Sequence, residues 1–240
     1  MSKDRTSGVD KLKPLVLRED VTVQSHVYHA LRQALTSGHF RPGESISLRH
    51  TAAALGTSLT PVREALRRLE SDGGLVVQGA NRMLTVPMIS ADDLVELRDI
   101  RLQLEGMATE LACERIGPQK MRVIRNACEL MEKAVTSGDV DQYLENNWRF
   151  HSVIYQSAGR PLLVSLIESL WLRVGPVIRL ATPSPGHLAH SMECHWEAVE
   201  AMHHGDGTAA RRAIERDIGD AASDLASVLR EQRPKEKQRR

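Results

Sequence analysis

Ser58-Leu59-Thr60-Pro61-Val62-Arg63-Glu64-Ala65-Leu66-Arg67-Arg68-Leu69 carries the signals of a helix with one packing face and one charged face. Ser58 supplies an N-cap hydroxyl, Pro61 has the fixed φ of a first helical turn, and Glu64 sits toward the positive end of the helix dipole. Val62, Ala65, Leu66 and Leu69 recur at i, i+3, i+4 and i+7 and make the apolar face. Arg63 and Arg67, four apart, lie on another.

The flanks complete a motif. Leu48-Arg49-His50-Thr51-Ala52-Ala53-Ala54-Leu55 is a short helix-competent run, and Gly56 after it suits a left-handed C-cap and a tight turn. A short helix, a glycine turn and an arginine-bearing helix spell a helix-turn-helix. Beyond it, Gly73-Gly74 ends the pattern and Leu75-Val76-Val77-Gln78 reads as a strand. Gly79-Ala80-Asn81-Arg82 then supplies turn residues and residues 83–86 read as a return strand. This predicts a β-hairpin wing with Arg82 near its tip. Upstream, residues 23–37 place Val27, Leu31, Ala34 and Leu35 on one helical face, before Gly38 and the turn Pro42-Gly43.

Residues 38–86 resemble the DNA-binding domain of the GntR superfamily of bacterial transcription regulators. That pattern runs through a Pro-Gly turn, a leucine-alanine helix, Ser-x-x-Pro-Val-Arg-Glu-Ala-Leu and a glycine-rich wing; Pro42-Gly43 and Ser58 to Leu69 match it. The chain departs at Leu59, where the family often has Arg, and at Gly79-Ala80-Asn81, which is poorer in glycine. Operator choice is therefore expected to differ from that of relatives. The resemblance puts Arg49 and Arg63 where FadR-like members touch the operator, and either guanidinium suits guanine or phosphate. Ser58 and Thr60 offer phosphate their hydroxyls and the helix N-terminus. For Arg67, Arg68 and Arg82, contact with DNA and a solvated face are both open.

Charge divides the chain as this reading requires, although the whole carries only +1. Residues 1–88 hold 12 Lys and Arg against 8 Asp and Glu, a net +4. Residues 89–232 hold 15 against 22, a net −7, and the last eight residues 5 against 1. A basic front on an acidic body fits a phosphate-facing reader joined to a separate sensing module. At 240 residues the chain has room for two cores. No apolar run reads as bilayer-spanning and no signal segment opens it, so a cytoplasmic protein without membrane contact is expected. Cys113, Cys128 and Cys194 are odd in number and scattered, which suits small buried residues better than a disulfide framework.

From Ser90 onward the pattern is helix after helix. Ser90-Ala91-Asp92-Asp93 is an N-cap signature, and apolar residues then keep helical spacing to Gly117-Pro118. Further helices are expected over 118–137, 140–158, 160–181, 187–204 and 207–231. The fold is thus mainly α, an N-terminal winged helix-turn-helix followed by an all-α bundle of six to seven helices. The expected division is a disordered arm at 1–19, the winged domain at 20–88, the helical domain at 89–232 and a basic disordered tail at 233–240.

That helical body resembles the FCD domain, the effector-binding and dimerisation module of the FadR branch, over residues 94–229. Arg101-x-x-Leu104-Glu105 and Asn147-x-x-Phe150-His151 carry the resemblance, with His195. It implies a divalent metal (Zn, Mn or Ni) held by Asn147, His151 and His195, with Asp217 where the family usually has His. Arg101, Asn147, His151 and His195 are the implied effector contacts, Arg101 as a carboxylate clamp. Plain alternatives stand beside these: a buried His held by hydrogen bonds, and an Arg101 salt bridge inside the bundle. His187, His190, His203 and His204 read as surface residues. Together the features imply a homodimeric regulator, a repressor, that binds operator double-stranded DNA under control of a small organic acid. The rival reading is a metal-dependent hydrolase using His151, His195 and Asp217 to activate water, but no HExxH helix, phosphate loop or Ser-His-Asp order supports it.

Overall fold

The computed structural model describes residues 7–18, 20–182 and 185–237, with backbone alone for residues 181, 185–187 and 231–237. It divides into two compact units, residues 1–89 with 171–177 and residues 90–170 with 178–240.

The first unit is built on α1 (Val23–Thr36), α2 (Leu48–Leu55) and α3 (Leu59–Ser71), followed by β1 (Val76–Gln78) and β2 (Met83–Thr85). Gly56 caps α2 in the left-handed conformation at φ 65°, the tight corner that a Cβ would strain. The apolar face of α3 goes inside: Val62, Ala65, Leu66 and Leu69 are all buried, against Leu31 and Leu35 of α1 and Leu55 of α2. β1 and β2 pair antiparallel with Val77 opposite Leu84, and Ser45 bridges Thr85, which ties the wing to the body. Leu172, from the seven residues grouped with this unit, joins the same core.

Composition set residues 1–19 apart as a disordered arm, and the structure corrects this for its described part. Gly8–Lys11 is a turn of 3-10 helix capped by Ser7, Val9 is 1% exposed, and Leu15 N–H bonds the Leu55 carbonyl. Glu44 fastens the segment by accepting from the Ser7 hydroxyl at 2.8 Å and the Gly8 N–H at 2.6 Å. Phe40 lies so close over Gly8 that a Cβ there would overlap its ring.

The second unit is a bundle of α4 (Ala91–Cys113), α5 (Pro118–Ser137), α6 (Val140–Ser157), α8 (Pro185–His203) and α9 (Gly207–Lys237), with the ends of α7 (Pro161–Ala181). Ser90 opens α4 with a capping box, donating its N–H to Asp93 and accepting from the Asp93 N–H. α4 packs on α9 and α6, α5 on α6 and α8, and α8 on α9. This brings α4, α6, α8 and α9 around one interior. The expected helix limits hold within a few residues, except that α9 continues to Lys237, so much of the basic tail read as disordered is helical; residues 238–240 lie outside the described residues. One further correction concerns α7: by length and composition, Pro161–Leu180 is apolar enough to cross a bilayer. Ile167, Trp171, Leu172, Val174 and Val177 are buried, while Leu162 and Leu166 near its start are exposed.

Candidate functional site

The outer face of the first unit is a row of cations on a helix-turn-helix. Arg49 of α2, Ser58 at the start of α3, and Thr60, Arg63 and Arg67 on α3 are all exposed. Arg82 is exposed at the wing turn with φ 50°, a left-handed value for a residue other than glycine. Ser58 is indeed the N-cap, but its side chain makes no capping hydrogen bond, so the hydroxyl expected to hold the backbone stays available outward. Arg68 is used differently from its neighbour Arg67. Its guanidinium stacks 3.8 Å from the centre of the Tyr28 ring, while Tyr28 donates to Asp72 at 2.6 Å. Arg68 is exposed as Arg67 is, but its guanidinium is held against that ring.

In the second unit, three side chains far apart in sequence converge in the bundle interior. His151 of α6, His195 of α8 and Asp217 of α9 are all buried. The two Nε2 atoms lie 3.3 Å apart, and Asp217 Oδ2 is 3.4 Å from His151 Nε2 and 3.6 Å from His195 Nε2. A tetrahedral zinc about 2.0–2.1 Å from its donors holds them roughly 3.3–3.4 Å apart, so this triangle fits a four-coordinate divalent ion. Asn147 is buried one turn before His151 on α6, but its amide makes no hydrogen bond to the three among the described residues.

Partners behind the triangle aim it. Tyr155 donates its hydroxyl proton to Glu105, so the 2.9 Å contact between that hydroxyl and His151 Nδ1 requires Nδ1 to carry hydrogen. The lone pair of His151 is thereby left on Nε2, facing His195 and Asp217. Asp217 is oriented by Ser191, which donates to Oδ1 at 2.7 Å and accepts from Tyr143 at 3.0 Å. His195 Nδ1 is buried without a hydrogen-bond partner among the described residues. Arg101 is also buried, its Nε 2.5 Å and its Nη2 3.3 Å from the two oxygens of Glu105. Burial works against its charge, but the Glu105 carboxylate outweighs that and holds the guanidinium pKa above its ordinary value.

Burial pushes the His151 pKa below its ordinary value, against the pull of Asp217. Burial alone would raise the Asp217 pKa, yet the two histidines hold it well below the usual carboxylate range. A carboxylate kept ionised beside a neutral imidazole lone pair is the donor state a metal needs. Glu105 and Ser191 were not singled out as site residues from sequence, and neither were Tyr143 and Tyr155. Tyr155 had a local signal, since it continues the i, i+4 series from Asn147 through His151.

A winged helix with an exposed cationic recognition helix, followed by a helical bundle with a buried polar centre, defines a two-module DNA-binding regulator. The chain belongs to the GntR family of bacterial regulatory proteins: residues 23–83 match the family's DNA-binding domain and residues 96–220 match the FCD domain. It is 33% identical over 196 residues to the HTH-type transcriptional regulator McbR of Escherichia coli (strain K12), covering 81% of this chain and 88% of that protein. The solved structure of E. coli McbR/YncC matches with a TM-score of 0.76 at 31% identity, over 88% of this chain and 99% of that one. A more distant relative, 24% identical over 70% of this chain and 67% of that protein, is the gluconate operon transcriptional repressor of Bacillus subtilis (strain 168). The protein is a transcription regulator with an FCD effector-binding domain, and the hydrolase reading falls, because both of its domains and these relatives are regulators.

Proposed function

We propose that the protein acts in the cytoplasm as a homodimeric repressor whose operator affinity is set by a small organic acid bound in the FCD domain beside a divalent metal. Arg49, Arg63 and Arg67 contact the operator from α2 and α3, Ser58 and Thr60 reach phosphate, and Arg82 reaches the duplex from the wing. Two such modules on one palindrome gain affinity through effective concentration.

In the bundle, His151, His195 and Asp217 hold the ion and Asn147 stands as a further donor. The observation that carries this reading is the triangle of Nε2, Nε2 and Oδ2 at 3.3–3.6 Å, buried and oriented by Tyr155 and Ser191. When bound, the metal supplies a cationic seat for a carboxylate. The guanidinium of Arg101 is the chain's own group suited to that anion. An acid that binds the two dimer geometries unequally shifts operator affinity by that difference and by no more.

The test is metal analysis of protein purified without chelator, followed by anisotropy titration of operator DNA against a panel of hydroxy acids, sugar acids and amino acids. At least one equivalent of metal, of which one is lost in His151→Ala, and an acid that changes operator affinity at least about fivefold are the expected outcome, in the usual range of coupling. Stoichiometric metal with operator affinity indifferent to every acid would remove the effector half of the proposal. Absence of metal would remove the other half.

A further inference from the structure

A second group of metal-ligating side chains lies outside the buried triangle, across the same pair of helices. His190 and Cys194 stand four apart on α8, which puts them on one face, and Asp220 faces them from α9. An imidazole nitrogen, the thiol sulfur and a carboxylate oxygen all lie within 4.8 Å of one another. His190 Nε2 is already 2.8 Å from Asp220 Oδ2, and its Nδ1 is 3.4 Å from Glu193 Oε2. The cluster is graded from inside to outside: Cys194 is fully buried, while the side chains of His190 and Asp220 are 48% and 46% exposed. An ion arriving from solvent therefore meets the imidazole and carboxylate first and the sulfur last.

Burial pushes the Cys194 thiol pKa above its ordinary value, so thiolate forms there only with the ion, and one neighbour works in its favour. Arg216 donates its Nε–H to Cys194 Sγ at 3.3 Å and is itself held by Glu197. An N–H donor to sulfur, anchored by its own carboxylate, is the kind of outer partner that orients a ligand and steadies a thiolate. Its cation offsets part of the gain from a second positive charge, so the site suits a soft, strongly thiolate-binding ion. Hard cations such as Mg²⁺ and Ca²⁺ prefer all-oxygen sets with more donors. Nitrogen, sulfur and oxygen from three side chains, with one position open, is a donor set of the zinc class.

We propose that His190, Cys194 and Asp220 form a second, solvent-facing site for a thiophilic divalent cation of the zinc class, separate from the buried His151–His195–Asp217 triangle. Binding converts the Cys194 thiol to a thiolate, and the proton leaves to buffer. Because the ion bridges α8 and α9, with Cys194 adjacent to His195 and Asp220 three residues from Asp217, it pins the same helix pair that carries the inner donors. The two sites differ in chemistry, since the inner one offers only nitrogen and oxygen. That difference makes this proposal testable whether or not the inner site binds metal.

The experiment uses the full chain, reduced, stripped with chelator and titrated anaerobically with Co²⁺. A thiolate-to-cobalt charge-transfer band is expected, saturating at one equivalent in His151→Ala and within two equivalents in the wild type. Cys194→Ser should abolish the band. His190→Ala, at an exposed position that folding tolerates, should weaken the affinity that the band reports. The drop should at least match the tenfold to hundredfold, roughly, that loss of an outer partner costs a metal site. Absence of the band in the wild type overturns the proposal, as does its survival in Cys194→Ser, which would assign the sulfur to Cys113 or Cys128. Unchanged affinity in a folded His190→Ala overturns it too.

Discussion

His151 Nδ1 lies 2.9 Å from the Tyr155 hydroxyl, and because that hydroxyl gives its own proton to Glu105, the contact decides which nitrogen of His151 faces His195 and Asp217. Tyr155→Phe removes the acceptor and frees the imidazole to take either tautomer. Metal affinity, read by competition with a chromophoric chelator, should fall about 10–100-fold, the usual cost of losing such a partner. Folding should survive, with a loss on the order of 1–3 kcal/mol because Glu105 loses a buried donor. Unaltered affinity would mean that Tyr155 does not orient the ligand.

Acid should destabilise the metal-free protein in two stages. The folded pKa values of His151 and Asp217 are both depressed, the first by burial and the second by the histidine partners outweighing burial. A depressed folded value means that the unfolded chain binds more protons, so stability is lost as pH falls. For His151 the loss begins as pH drops through the ordinary histidine value of 6.5, and for Asp217 as it drops through the ordinary 3.8. Urea unfolding in chelator between pH 7.5 and 5 should show the first stage, and His151→Asn should flatten it. A His151→Asn curve with the same slope as the wild type across that interval would contradict the burial of a neutral His151.

The two adjacent arginines of α3 should separate cleanly. Arg67→Ala should leave thermal stability alone and reduce the salt dependence of DNA binding by about one phosphate contact. Arg68→Ala should lower stability by about 0.5–1 kcal/mol through loss of the stack on Tyr28. Calorimetry and salt titration on the same pair of variants check both. If both variants behaved alike, the division of labour drawn from the stack would be wrong.

Gly8 should resist any side chain. Gly8→Val forces the Phe40 ring out of the core and should cost about 1–3 kcal/mol, measured by thermal unfolding. Deletion of residues 1–12 should destabilise the winged domain as well, since it uncovers Phe40 and removes the burial of Val9. A truncated chain as stable as the full one would restore the first reading of this segment as a loose arm.

The contrast between Gly8 and α3 shows what the sequence could convey. Helix α3 was legible because its cap, proline and i, i+3, i+4 pattern all agree within 12 residues, and the same holds for the capping box of α4. Residues 7–18 were misread because their order comes from Phe40, Glu44 and Leu55, which no local pattern links to them. In the bundle, the i, i+4 pair Asn147 and His151 was visible, and Asp217 was reached by counting along the family resemblance. The Glu105–Tyr155 bond spans fifty residues and has no periodic signature. For Cys194 the sequence offered only a small buried residue, and packing of α8 on α9 gave it His190 and Asp220 as neighbours.

The central claim is that α3 reads DNA through its exposed arginines, and duplex selection from a random pool tests it most directly, with wild-type protein and Arg63→Ala compared at equal concentration and salt. The account predicts that the wild type enriches a palindromic sequence and that Arg63→Ala, folded and equally stable, enriches none. Enrichment of the same sequence by both proteins, or by neither, would contradict it.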